Sequence, residues 1–202
     1  MVLQKTADIQ VKGEGQAFVG KGGSKLEAAL TAFNLDVSGR ICLDIGASTG
    51  GFTDCLLKRG AKKVYAIENG KDQLASILKS DPRVISMEKT DIRNVCNEWF
   101  DETISFVCID VSFISLTKVL HPITKVLPEG AELICLIKPQ FEVGKGNVGK
   151  SGVVRNQKKR QAAIDSVNNF AIALGLKYQG LVPYKNENSP NKNQEYLVFY
   201  KK

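Results

Sequence analysis

Short β-rich runs alternate with helical periodicity along most of this chain, and that alternation constrains the fold more than any other feature. The runs lie at 41–46, 63–69, 83–88, 104–113, 132–139, 177–184 and 195–201. Between them, Leu26, Ala29, Leu30 and Phe33 recur at helix spacing, and Ser24 with Glu27 forms an S-x-x-E capping box. Leu116, Val119, Leu120, Ile123 and Leu127 trace a second amphipathic helix. Ile164, Val167, Phe170, Ala171 and Leu174 trace a third, which Gly175 ends, and Gly60 closes a helix that begins near Gly51. Strands alternating with helices predict an α/β fold with a mainly parallel, doubly wound sheet. The last two runs have no helix between them, so they are expected to pair as an antiparallel hairpin with a long loop.

Composition adds exclusions. At 202 residues the chain fits one domain with a sizeable core. Its start is polar, and its longest apolar runs are far short of the roughly 20 residues a membrane helix needs. No membrane insertion is expected. The five cysteines, Cys42, Cys55, Cys96, Cys108 and Cys135, include no CxxC pair and signal neither a zinc knuckle nor a disulfide framework. A reducing cytoplasm is the expected compartment.

A first candidate site follows the first strand run. Asp44, Gly46, Ala47, Ser48, Thr49, Gly50, Gly51 and Phe52 form a glycine-rich turn that opens a helix. Its order is G-x-x-x-G-G, unlike the G-x-G-x-x-G dinucleotide fingerprint, and it lacks the Lys-Ser/Thr ending of a P-loop. Glu68, at the end of the second run, is placed to grip ribose hydroxyls. Asp91 and Ile92, after the third run, are placed to receive an adenine. A glycine turn with two successive strand-end acids is the pattern of an S-adenosylmethionine site. The acid Asp44 suits a cationic sulfonium better than a pyrophosphate. A plain βα turn with surface carboxylates is the bland alternative.

A second candidate site lies at the carboxyl ends of the fourth and fifth runs, where open α/β sheets bind ligands. Asp110 and Lys138 stand there. A lysine closing an apolar run is partly desolvated, which lowers its pKa, and a second cation nearby, Lys25, lowers it further. Asp110 and Glu195 are expected to hold Lys138, which then serves as general base toward a hydroxyl. His121, the single histidine, sits mid-helix, so histidine catalysis and histidine-rich metal sites are not expected.

These residues carry a resemblance. GKGGSKLEAAL, LDIGASTGGFTDCLL, DVSFISLTKVL, LIKPQFEVGK and GVVR resemble the sequence blocks of the TlyA family over residues 17–202. That family carries the hemolysin A name and comprises ribosomal RNA 2'-O-methyltransferases with an FtsJ-like domain. The resemblance implies a Rossmann-like S-adenosylmethionine-dependent methyltransferase fold, with a seven-stranded, mostly parallel sheet and an antiparallel last strand. It implies a Lys-Asp-Lys-Glu tetrad on Lys25, Asp110, Lys138 and Glu195, with Asp110 also beside the cofactor. It implies methyl transfer to a ribose 2'-hydroxyl, with cytidines of ribosomal RNA as family substrates and no metal. The sequence departs from the family at Gly20 (usually Ser), Lys21 (usually Arg), Glu68 (commonly Asp) and Asp91 (commonly Asn). The family also carries an S4-like RNA-binding domain ahead of the methyltransferase, whereas residues 1–16 here read as a remnant or linker.

Charge is distributed unevenly. The net charge is +7, and the window from Lys138 to Arg160 holds seven bases against one acid. Much of it, from Gln140 to Asn156, reads as a long basic loop without helical or strand periodicity. Such a cluster suits RNA phosphates, with Lys21, Lys145, Lys150 and Arg155 as the expected contacts. Phe113 and Phe141 flank the two strand ends as candidates for stacking on a base. Two other readings stay open. DVSF is a distant relative of the D/N-P-P-Y/F motif of amino-methyltransferases, with Val111 and Ser112 in place of the prolines. The hemolysin name points to membrane lysis or to a non-catalytic binding protein.

Overall fold

The computed structural model describes residues 18–144, 146, 148, 149, 151–184 and 192–202. Its sheet has seven strands: β1 (Ile41–Ile45), β2 (Lys63–Ile67), β3 (Val84–Met87), β4 (Phe106–Ile109), β5 (Glu132–Ile137), β6 (Lys177–Tyr184) and β7 (Glu195–Lys201). The order is β3-β2-β1-β4-β5-β7-β6. The first five strands pair in parallel, and β7 is antiparallel to both β5 and β6. This is the expected mostly parallel sheet with an antiparallel last strand.

Helices α1 (Gly22–Ala32), α2 (Gly51–Lys58) and the short α3 (Ser76–Lys79) precede β4. Helices α4 (Leu116–Val126), α5 (Pro139–Glu142) and α6 (Gln157–Ala173) follow it. Two apolar layers sandwich the sheet. One joins Leu26, Leu30, Phe52 and Leu56 to Val64, Phe106 and Leu197. The other joins Leu116, Leu120, Ile123 and Val167 to Leu43, Ile45 and Ile109. Every residue of β1 is buried, because helices cover both faces of a parallel strand.

Three local expectations are revised. Helix α1 begins at Gly22, capped by Lys21 without a side-chain bond, so Ser24 and Glu27 are interior positions. Glu27 is drawn instead to the guanidinium of Arg59, the C-cap residue of α2. The fourth run overshoots: β4 ends at Ile109, and the following apolar residues form a turn in which Phe113 takes φ +64°. The basic loop opens on a helical turn, residues 139–142, with Pro139 at its first position.

Candidate active site

The carboxyl ends of β1, β2 and β4 open into a cleft of about 1220 Å³. At its base, Gly46 takes φ +84°, and a Cβ there would lie 2.4 Å from the Asp110 carbonyl oxygen. Only glycine lets the β1–α2 turn press against the end of β4. The turn is also tied to the second strand. The amides of Ser48 and Gly70 donate to the two Glu68 carboxylate oxygens at 2.9 and 2.7 Å. Glu68 is therefore held in the cleft wall by backbone.

Farther along the wall, Asp91 caps the 3-10 turn Ile92–Asn94. The Arg93 guanidinium grips its carboxylate and, with the Arg93 amide, holds its pKa below the usual range. Gly46, Ser48, Glu68, Asp91, Ile92 and Asp110 all line the cleft. Of the other expected cofactor residues, Thr49 is exposed without lining the cleft, and its carbonyl accepts from the Ala75 amide. Ala47 and Phe52 are buried in the core, and Gly50 and Gly51 form the helix entrance. Gly51 lies where a Cβ would crowd the Gly22 and Gly23 amides, so α1 and α2 meet end to end.

Asp44 is fully buried one layer below the cleft. Its side chain shares a sheet face with Cys42, and Thr53 of α2 donates to Oδ2 at 2.6 Å. The second oxygen, Oδ1, has no hydrogen-bond partner. Burial pushes this carboxyl up to about 7; the Thr53 bond opposes the shift and the Asp110 charge adds to it.

The four tetrad residues converge. Asp110 Oδ1 lies 2.5 Å from Lys138 Nζ, and its Oδ2 lies 3.8 Å from Lys25 Nζ. Glu195 Oε2 lies 2.7 Å from Lys25 Nζ. Strand alternation accounts for the convergence. Positions 110, 138 and 195 extend the face that carries Cys108, Leu136 and Leu197, which is the face α1 covers. The pairing differs from expectation in one respect: Glu195 grips Lys25, while Lys138 is held by Asp110 and by Ser112, whose Oγ accepts from Nζ at 2.9 Å. The β7 strand brings Glu195 up beside α1, so the nearer ammonium takes it. Burial works against the Lys25 charge, but Asp110 and Glu195 outweigh it and hold its pKa above the ordinary lysine value. Lys25 is thereby held in its charged form.

Phe113 is 92% exposed at the cleft mouth, and its ring lies 5.1 Å from that of Phe141. A bulky residue at positive φ with its ring in water is doubly unfavourable. Of the expected RNA contacts, Lys21 caps α1 one turn before Lys25, and Arg155 is exposed just ahead of α6. Lys145 and Lys150 lie outside the described residues. The sequence reading missed Arg93 and Lys118 on the cleft wall. The spacing D-x-R after the third strand could have flagged Arg93; nothing local marks Lys118.

This arrangement can hold a methyl donor against the glycine turn and activate a hydroxyl beside Lys138. Comparisons with known proteins show the family. The pattern of the FtsJ-like methyltransferase family matches residues 18–202. Hemolysin A of Brachyspira hyodysenteriae is 44% identical over 176 residues, covering 87% of this chain and 73% of that protein. The 16S/23S rRNA (cytidine-2'-O)-methyltransferase TlyA of Mycobacterium tuberculosis is 42% identical over 198 residues, covering 98% and 74%. A solved structure from Streptococcus thermophilus, under the hemolysin name, superposes with a TM-score of 0.89 at 43% identity, covering 95% of this chain and 69% of that one. The chain belongs to the FtsJ-like methyltransferase family.

Proposed function

We propose that the protein transfers a methyl group from S-adenosylmethionine to a ribose 2'-hydroxyl of ribosomal RNA, with cytidine as the target nucleoside and the cytoplasm as its place of work. The observation that carries this reading is the chain Lys138–Asp110–Lys25–Glu195, set beside the glycine turn and near the exposed Phe113, whose ring meets that of the partly buried Phe141. The residues present fit the donor: Glu68 offers a backbone-held carboxylate for ribose hydroxyls, Asp91 and Ile92 an adenine wall, and Gly46 a close approach. When bound, S-adenosylmethionine supplies an electrophilic methyl group on a sulfonium.

Lys138 takes the proton of the 2'-hydroxyl as its oxygen attacks, acting as general base. Asp110 fixes the Lys138 amine, and Ser112 holds it from a second side. Lys25 stays protonated, so it anchors Asp110 and offers a donor to the ribose. Glu195 fixes Lys25 in turn. Phe113 and Phe141 offer a stacking surface for the presented base, and Lys21, Lys145, Lys150 and Arg155 meet phosphates. Holding both reactants in line supplies much of the rate.

The test is transfer of tritiated methyl groups to unmodified ribosomal subunits, followed by nucleoside mapping. Lys138→Met lowers turnover at least about a hundredfold while leaving S-adenosylmethionine binding intact. Undiminished turnover in that variant, or label on a base nitrogen, overturns the reading.

A further inference from the structure

The loop after β4 and the loop after β5 run side by side, and they are joined at successive levels. Asp110 pairs with Lys138 at the bottom, and Ser112 accepts from Lys138 just above. Next, the rings of Phe113 and Phe141 meet. At the top, Ser115 Oγ donates to Glu142 Oε2 at 2.6 Å, and the Leu116 amide donates to Oε1 at 2.9 Å. The lower contacts belong to the tetrad and the stacking surface. The upper one has had no role so far.

Glu142 lies on α5 and caps the first turn of α4, a helix of another segment. Ser115 is the N-cap of α4 and also accepts from the Thr117 amide at 3.2 Å. The carboxylate thus satisfies both an orphan amide and the cap hydroxyl, and hydrogen bonds to an ionised group are among the stronger ones. Phe113 lies two residues before Ser115, and Phe141 directly precedes Glu142. Phe113 also needs outside support, because its left-handed backbone is unfavourable for a bulky residue.

We infer that Glu142 is a positioning residue that clasps the two loops at the cleft mouth and so fixes Phe113 over Phe141 as a seat for the presented nucleotide. The clasp rests on the geometry alone; its role in seating RNA rests on the function proposed above. Glu142 touches neither reacting atom. It acts through Phe113, so its loss is felt in RNA recognition rather than in donor binding.

Two measurements on the full chain separate these layers. The first is hydrogen exchange of the protein without RNA. Exchange at the Leu116 amide and through residues 112–115 speeds up in Glu142→Ala. It stays close to the parent in Glu142→Gln, whose carbonyl can accept from Leu116 while Ser115 turns to accept from its amide. Unchanged exchange in Glu142→Ala overturns the clasp. The second is steady-state methyl transfer to ribosomal subunits. Glu142→Ala raises KM for RNA about tenfold with the S-adenosylmethionine Kd unchanged, and Glu142→Gln restores it. The double variant Glu142→Ala, Phe113→Ala is no worse than Phe113→Ala alone, because both remove the same seat. Additive losses overturn the role in seating RNA. Accelerated exchange in a protein whose parent methylates no RNA leaves the clasp standing and removes the proposed function instead.

Discussion

Asp44 and Asp110 sit on neighbouring strands and share one sheet face, yet only one reaches solvent. Asp44 lies opposite Cys108 within the ladder, whereas Asp110 lies beyond its end. That short difference in height separates a buried, half-satisfied carboxyl from one shared by two lysines. The folded pKa of Asp44, about 7, is above its ordinary 3.8. Between those values the folded chain keeps a proton that the unfolded chain releases. This group's contribution to stability is therefore complete below pH 3.8 and is lost as pH rises through 7. Urea midpoints of Asp44→Asn are expected to fall less than those of the parent across that interval, and equal slopes would refute the assignment. The sequence showed Asp44 as an acid next to a glycine turn, which is true. Its depth was not legible, because alternation alone does not say that Thr53 waits on the helix above. The partner of Glu195 was illegible for a similar reason: which of two lysines it grips depends on where α1 crosses the strand ends.

Among the elements, α1, α4 and α6 were readable because their apolar positions repeat every three or four residues. Leu120 in α4 is fully buried against the face that carries Leu43 and Ile109. Leu120→Ala is expected to destabilise the fold by roughly 2–5 kcal/mol, read as a lower urea midpoint with an unchanged m-value. The end of β4 was not readable. Val111 and Phe113 continue the apolar run, and an exposed aromatic looks the same in sequence as one buried in a core. The left-handed turn at Phe113 marks the difference, and it exists only in three dimensions. The capping box failed for a simpler reason: Gly22 and Gly23, pressed against Gly51, let the helix start a turn early.

At the scale of the whole molecule, the charge excess gathers between Lys138 and Arg160, after the strand that carries the proposed base. Arg155→Ala is expected to weaken binding to ribosomal RNA about equally across sequences and to reduce the salt slope of log K by about 1. A slope identical to the parent's would remove Arg155 from the interface. Among the described residues, no helix is long and apolar enough to cross a membrane. The hemolysin name of the relatives therefore has no counterpart in a spanning helix of this fold.

Strand β7 follows β6 in sequence but lies between β5 and β6 in the sheet. Its place in that slot is what sets Glu195 against Lys25. The glycine turn and Glu68, by contrast, hang on β1 and β2 within the parallel part of the sheet. The two halves of the site are thus drawn from opposite sides of the β4–β5 seam, one from parallel strands and one from the antiparallel end.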